Sequence, residues 1–130
     1  MAPGLASTIA NEIIDALGGT NDWTAPTACY VKLHTGDPGT AGTANAAGET
    51  TRKQVGFGAA SAGAASNSAA VTWTSVSTTE TYSHVSFWDH LTAGSFLYSD
   101  ALAASKAVTA GDNAEFATGD IDLSITPVVS

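Results

Sequence analysis

The stretch ACYVKLHTGDPG, residues 28–39, alternates and then stops. Cys29, Val31 and Leu33 point one way, and Tyr30, Lys32 and His34 the other. A period of two marks a half-buried β-strand. Asp37-Pro38-Gly39 then reads as a turn: proline fixes φ, glycine accepts positive φ, and the aspartate side chain bonds nearby backbone. His34 and Asp37 are close enough along the chain to suggest acid–base chemistry. That would need a nucleophile or a substrate pocket around them. The expectation is therefore that Asp37 caps the turn and His34 sits on the strand's outer face. A phosphate loop would need a lysine after its glycines and a helix behind it; neither is present here.

The same period continues downstream. RKQVGFG (52–58) predicts a strand with Val55 and Phe57 inward, and AVTWTSV (70–76) one in which Val71 and Trp73 alternate with Thr72 and Thr74. YSHVSFWD (82–89) sets Val85 and Phe87 on one face and Tyr82, His84 and Trp88 on the other. SFLYSDAL (95–102), a short KAVT (106–109), AEFAT (114–118) and IDLSIT (121–126) follow, separated by the turns HLTAG, AGDN and GD. Between them, AASAGAASNSAA (59–70) reads as a small-residue connection, and 36–50 as a long loop free to reach a partner.

Upstream, Leu5, Ile9, Ile13 and Leu17 recur every four residues, with Ala16 beside them. This predicts a helix over 5–17, with Pro3 at its start and Gly18-Gly19 as its stop. Its single apolar stripe must lie on the chain's own sheet or on a neighbouring subunit. The expected fold is all-β: a single antiparallel β-sandwich of about seven or eight strands with one N-terminal amphipathic helix. Residues 1–130 are expected to form one domain.

Charged residues are 12% of the chain, with twelve acids against four bases and a net charge of −8. So sparse a charged surface suggests that neighbours cover part of it, and a homo-oligomer is expected. The acidic balance argues against nucleic acid and against anionic membrane. Nor does the chain contain a continuous apolar run of about 18 residues. The N-terminus lacks the basic and apolar regions of a signal peptide. The lone cysteine, Cys29, lies in the apolar alternation and reads as a small buried hydrophobe.

His34, His84 and His90 lack zinc-ligand spacing. Asp112, Glu115, Asp120 and Asp122 read as turn residues and a solvated strand face, with a structural cation near Asp120 and Asp122 as the other possibility. No G-x-S-x-G elbow surrounds any serine. No catalytic, cofactor or metal site is expected. The residues expected to anchor an interface are Trp23, Tyr30, Tyr82 and Trp88.

YVKLHTGDPG, TRKQVGFGAASAG, NSAAVTW, HVSFWD with AGSFLY, ALAASKAVTAGD and GDIDLSI occur in that order. Together with GGT and WTAP after the helix, they make nearly the whole chain resemble small virion proteins of tailed bacteriophages, often labelled tail fibre or minor tail proteins. The resemblance implies a non-enzymatic structural protein of the virion, assembled in the host cytoplasm, with other virion proteins as partners. Tail association is the first expectation and decoration of the capsid exterior the second. A carbohydrate-binding module for host attachment is the third.

Overall fold

The computed structural model describes residues 3–125. It is mostly antiparallel strand with one short helix, in a sandwich-like arrangement. The elements are α1 (Ser7–Leu17), β1 (Cys29–His34), β2 (Lys53–Val55), β3 (Ala64–Ser66), β4 (Val71–Trp73), β5 (Glu80–Trp88), β6 (Phe96–Val108), β7 (Ala114–Phe116) and β8 (Asp122–Ser124). A four-stranded sheet in the order β2-β1-β5-β6 forms one layer. The ribbons β4–β7 and β3–β8 form the other.

The alternation read from the sequence sets the core. Val31 and Leu33 of β1, Val85 and Phe87 of β5, and Val55 of β2 face the ribbons. Val71, Trp73, Ala114 and Phe116 face back. Trp73 meets Phe116 edge to face with centroids 5.7 Å apart, and its indole N–H donates to the Thr51 carbonyl at 2.7 Å. Each large side chain removed from water in this way contributes about 1.5–3 kcal/mol.

Four expectations need correction. First, SFLYSDAL and KAVT are one strand, β6, with an irregularity inside it. His84 pairs with Ala101 but Tyr82 with Lys106, so residues 102–105 pass Ser83 without regular pairing. That bulge turns Tyr82 over to the core side, beside Val85 and Phe87, instead of leaving it with His84 and Trp88. Second, the small-residue connection holds a strand, β3, paired with β8. A two-residue turn at Ala62 (φ 52°) and Gly63 (φ 78°) leads into it. Third, Asp120 lies in the turn that the glycine before it predicts, but it does not share a strand face with Asp122, because β8 begins only at Asp122. Of the segment IDLSIT, Thr126 lies outside the described residues.

Fourth, the helix begins at Ser7, because residues 4–6 are used otherwise. Leu5 bridges Tyr98, Ala6 N–H donates to the Leu97 carbonyl, and Ser99 N–H donates to the Gly4 carbonyl, each bond 2.9 Å long. This short extended piece covers the free edge of β6. It also holds α1 against the sheet by its first turn alone.

Loop 36–50 is fastened down and is not free. Ala47 N–H donates to the Leu33 carbonyl, and Thr35 N–H to the Asn45 carbonyl. Gly42 (φ +73°) lies flat on Phe96, where an added Cβ would come within 2.5 Å of the ring. Only glycine fits both that backbone angle and that approach.

Candidate functional site

The outer face of the four-stranded sheet carries the residues that first suggest chemistry. His34 was expected at an open surface, yet it is fully buried, as is Ser86. Loop 36–50 covers it, and the Ala44 carbonyl accepts a bond from Nδ1 at 2.8 Å. A carbonyl can only accept, so Nδ1 carries the proton and Nε2 is left as an acceptor for the Ser86 hydroxyl at 2.7 Å. Trp88 Nε1–H in turn donates to Ser86 Oγ at 2.8 Å. Every polar atom in this chain of bonds is satisfied by a neutral imidazole.

Burial pushes the His34 pKa below its ordinary value of 6.5, with the Lys32 charge acting the same way and the Ala44 bond partly opposing. The unfolded chain takes up this proton near pH 6.5, whereas the folded chain does so only at lower pH. Stability from His34 is therefore intact above pH 6.5 and drains away as the pH falls below it. Urea unfolding between pH 7 and 5 is expected to show that decline, at most about 1.4 kcal/mol per pH unit, and His34→Gln is expected to flatten it. A His34→Gln slope equal to that of the parent would show that His34 is not the group responsible.

Ser86 and His34 thus touch as a nucleophile and base would, but no substrate can approach either. Asp37 takes no part in the pair. It caps its turn as expected, with Oδ1 accepting from Gly39 N–H at 2.9 Å. Asp112 and Asp120 make the same clasp twice. Each accepts through its carboxylate from the N–H three residues earlier (Thr109, Ala117) and donates its own N–H back to that residue's carbonyl. Asp122 accepts from the Ser66 hydroxyl at 2.6 Å. Among the described residues, no group of three or more His, Cys, Asp or Glu side chains could hold a metal ion. No described helix is long and apolar enough to cross a membrane.

The four aromatic residues expected at an interface separate. Trp23 is 39% exposed and Tyr30 half-buried. Tyr82 is 0% and Trp88 7% exposed, so neither reaches the surface such a role requires. The bulge turned Tyr82 inward. Trp88 is covered by Phe96, with ring centroids 5.6 Å apart, and by the Arg52 guanidinium, 4.1 Å above its ring. The Tyr82 hydroxyl is buried without a hydrogen-bond partner, and burial, reinforced by the Glu80 and Glu49 carboxylates, pushes its pKa up to about 12. Tyr82→Phe removes an unpaired polar atom. It is expected to leave stability unchanged or raise it by about 1 kcal/mol, read as the urea midpoint. A loss of that size would reveal a partner for the hydroxyl.

An apolar surface open to neighbours lies on the inner side of the sheet, at the end away from the ribbon β4–β7. There α1 stands off the strands over an apolar cleft of about 390 Å³. Ile9 and Ile13 line its helix side, Cys29, Val55, Phe87 and Tyr98 its floor, and Leu5, Trp23 and Ile125 its mouth. Burial pushes the Cys29 thiol up to about 12, which keeps it protonated and unreactive. The helix buries only Ile9; Ile14 is 65% and Leu17 83% exposed. The apolar stripe was legible in the sequence, but not that half of it would stay uncovered.

Residues 4–124 match the family model Gp80, described as podophage GP4 fiber I protein gp80. The chain belongs to this family. The Gp80 match begins at the residue that closes the edge of β6 and ends with the last residue of β8, so it takes in the cleft and both layers. It makes the protein a fibre-type structural component of a phage virion. A search of curated proteins found no match to the chain.

Proposed function

We propose that this Gp80 protein is a tail-associated structural subunit, a fibre or adaptor component without catalytic activity, which joins its neighbours through α1, Trp23 and the cleft. The carrying observation is the apolar surface left open there: Leu5, Trp23 and Ile125 are exposed and line one unfilled cleft, and Ile14 and Leu17 are exposed on the helix that lies over it. Exposed apolar surface gathered in one place marks a contact site. The net charge of −8 suits the outside of a particle better than contact with packaged DNA. Its partners are other virion proteins, and Tyr30 on the opposite face is a second contact point.

Imaging of intact particles carrying a tagged chain tests the location. Signal on the tail supports the reading, and signal on the capsid overturns it in favour of decoration. Ile14→Glu with Leu17→Glu, both at exposed positions, is expected to leave the purified chain folded but to abolish its incorporation into particles. Unchanged incorporation would remove α1 from the interface.

A further inference from the structure

Acids and bases are unevenly placed on the two sides of the four-stranded sheet. On the inner side, α1 and the segment after it carry Glu12, Asp15 and Asp22, and residues 1–31 contain no lysine or arginine. All three acids are exposed, and Asp15 sits beside the uncovered Ile14. On the outer side the register Val31↔Lys53, carried one pair further, sets Lys32 opposite Arg52. Tyr30 and Gln54 form the adjoining outward pair.

Among the described residues, no lysine or arginine lies within 4.0 Å of a carboxylate, the one close ionic contact being His90 with Asp89. The chain has three acids for every base, yet two of its four bases stand side by side; Arg52 feels the Asp89 charge and donates to the His90 and Ala93 carbonyls, and neither Lys32 nor Arg52 makes a salt bridge. Burial, and after it the neighbouring Arg52 charge, pushes the Lys32 pKa down. Like charges left together in this way favour an anionic partner.

We propose that the chain associates with itself head to tail, α1 and the cleft rim of one copy seating on the Tyr30–Lys32–Arg52 face of the next. The apolar centre is Ile14, Leu17 and Trp23 against Tyr30, and the rim sets Glu12 and Asp15 against Lys32 and Arg52. The acidic and basic patches lie on opposite faces of one sheet, so no single chain brings its own two together. One copy can therefore be engaged on both sides. A two-fold dimer through α1 would instead set Glu12, Asp15 and Asp22 against their own copies with no base to offset them. A head-to-tail contact closes into a ring or continues as a filament. The inference rests on the assembly role proposed above and names its partner. Its test uses the isolated chain, so a wrong location in the particle and a failed self-contact are separate results.

The experiment is sedimentation of the purified chain at low and high salt. The parent is expected to self-associate, and more weakly as salt rises. Glu12→Lys with Asp15→Lys, and separately Lys32→Glu, are each expected to weaken association by roughly tenfold or more. Mixing these two variants is expected to restore it, since the reversed helix of one then meets the reversed face of the other. Lys32→Gln, which keeps most of the side-chain stem, is the folding control and is expected to weaken association less than Lys32→Glu. A parent that stays monomeric at all concentrations overturns the proposal. So does association strengthened by Glu12→Lys with Asp15→Lys alone, or a mixture no better than its components.

Discussion

Replacing Asn67 by alanine is expected to cost about 3–5 kcal/mol, among the largest effects of any single substitution in this chain. The Asn67 side chain is 1% exposed and uses its full bonding capacity. Oδ1 accepts from Gly119 N–H at 3.0 Å and Ile121 N–H at 2.9 Å, while Nδ2 donates to the Ala69 carbonyl at 2.8 Å and the Ala117 carbonyl at 3.0 Å. These bonds tie the end of β3 to the chain between β7 and β8. Alanine strands the Ile121 N–H and the Ala69 carbonyl, while Gly119 N–H keeps the Asn67 main-chain carbonyl and the Ala117 carbonyl keeps the Asp120 N–H. Asparagine to aspartate keeps Oδ1 but turns a second oxygen towards two carbonyls, and is expected to cost as much at neutral pH. Urea denaturation measures both. A loss below about 1 kcal/mol for the alanine variant would mean that water replaces the amide without penalty.

Trp73→Ala is expected to cost about 3–5 kcal/mol as well, through the cavity it leaves. The residue is fully buried between the two layers. Its ring supports Phe116, and its N–H holds Thr51, two residues before β2. Trp73→Phe separates the two contributions. It keeps the edge-to-face contact and loses the bond to Thr51, for an expected cost of about 1–2 kcal/mol. If the phenylalanine variant is as unstable as the alanine variant, the bond to Thr51 and not the packing dominates.

The fold was legible wherever one strand face is buried and the other is not. Val31 and Leu33, and Val71 and Trp73, declare their strands by local alternation, and Asp37, Asp112 and Asp120 declare their turns by the glycine beside them. What stayed hidden depends on distant partners. The strand β3 consists of alanine and serine, weak strand formers, and its turn places Ala62, in place of the usual asparagine, at a positive φ. The side of Tyr82 is hidden because its strand breaks the period of two at Ser83, where it passes residues 102–105 of β6. His34 looked exposed because the partner that accepts its burial, Ser86, is 52 residues away. The apolar stripe of α1 pointed to a contact surface. The cleft under it follows from the pairing of residues 4–6 with β6, which no helical period announces.

That pairing bears on how copies of this chain are arranged in bulk. An open sheet margin invites another chain to extend it strand by strand. Here Gly4 and Ala6 occupy one margin at Leu97–Ser99 of β6, and the other margin is β2, three residues long. Strand-by-strand extension is thus blocked at Leu97–Ser99 and finds only a short template at β2.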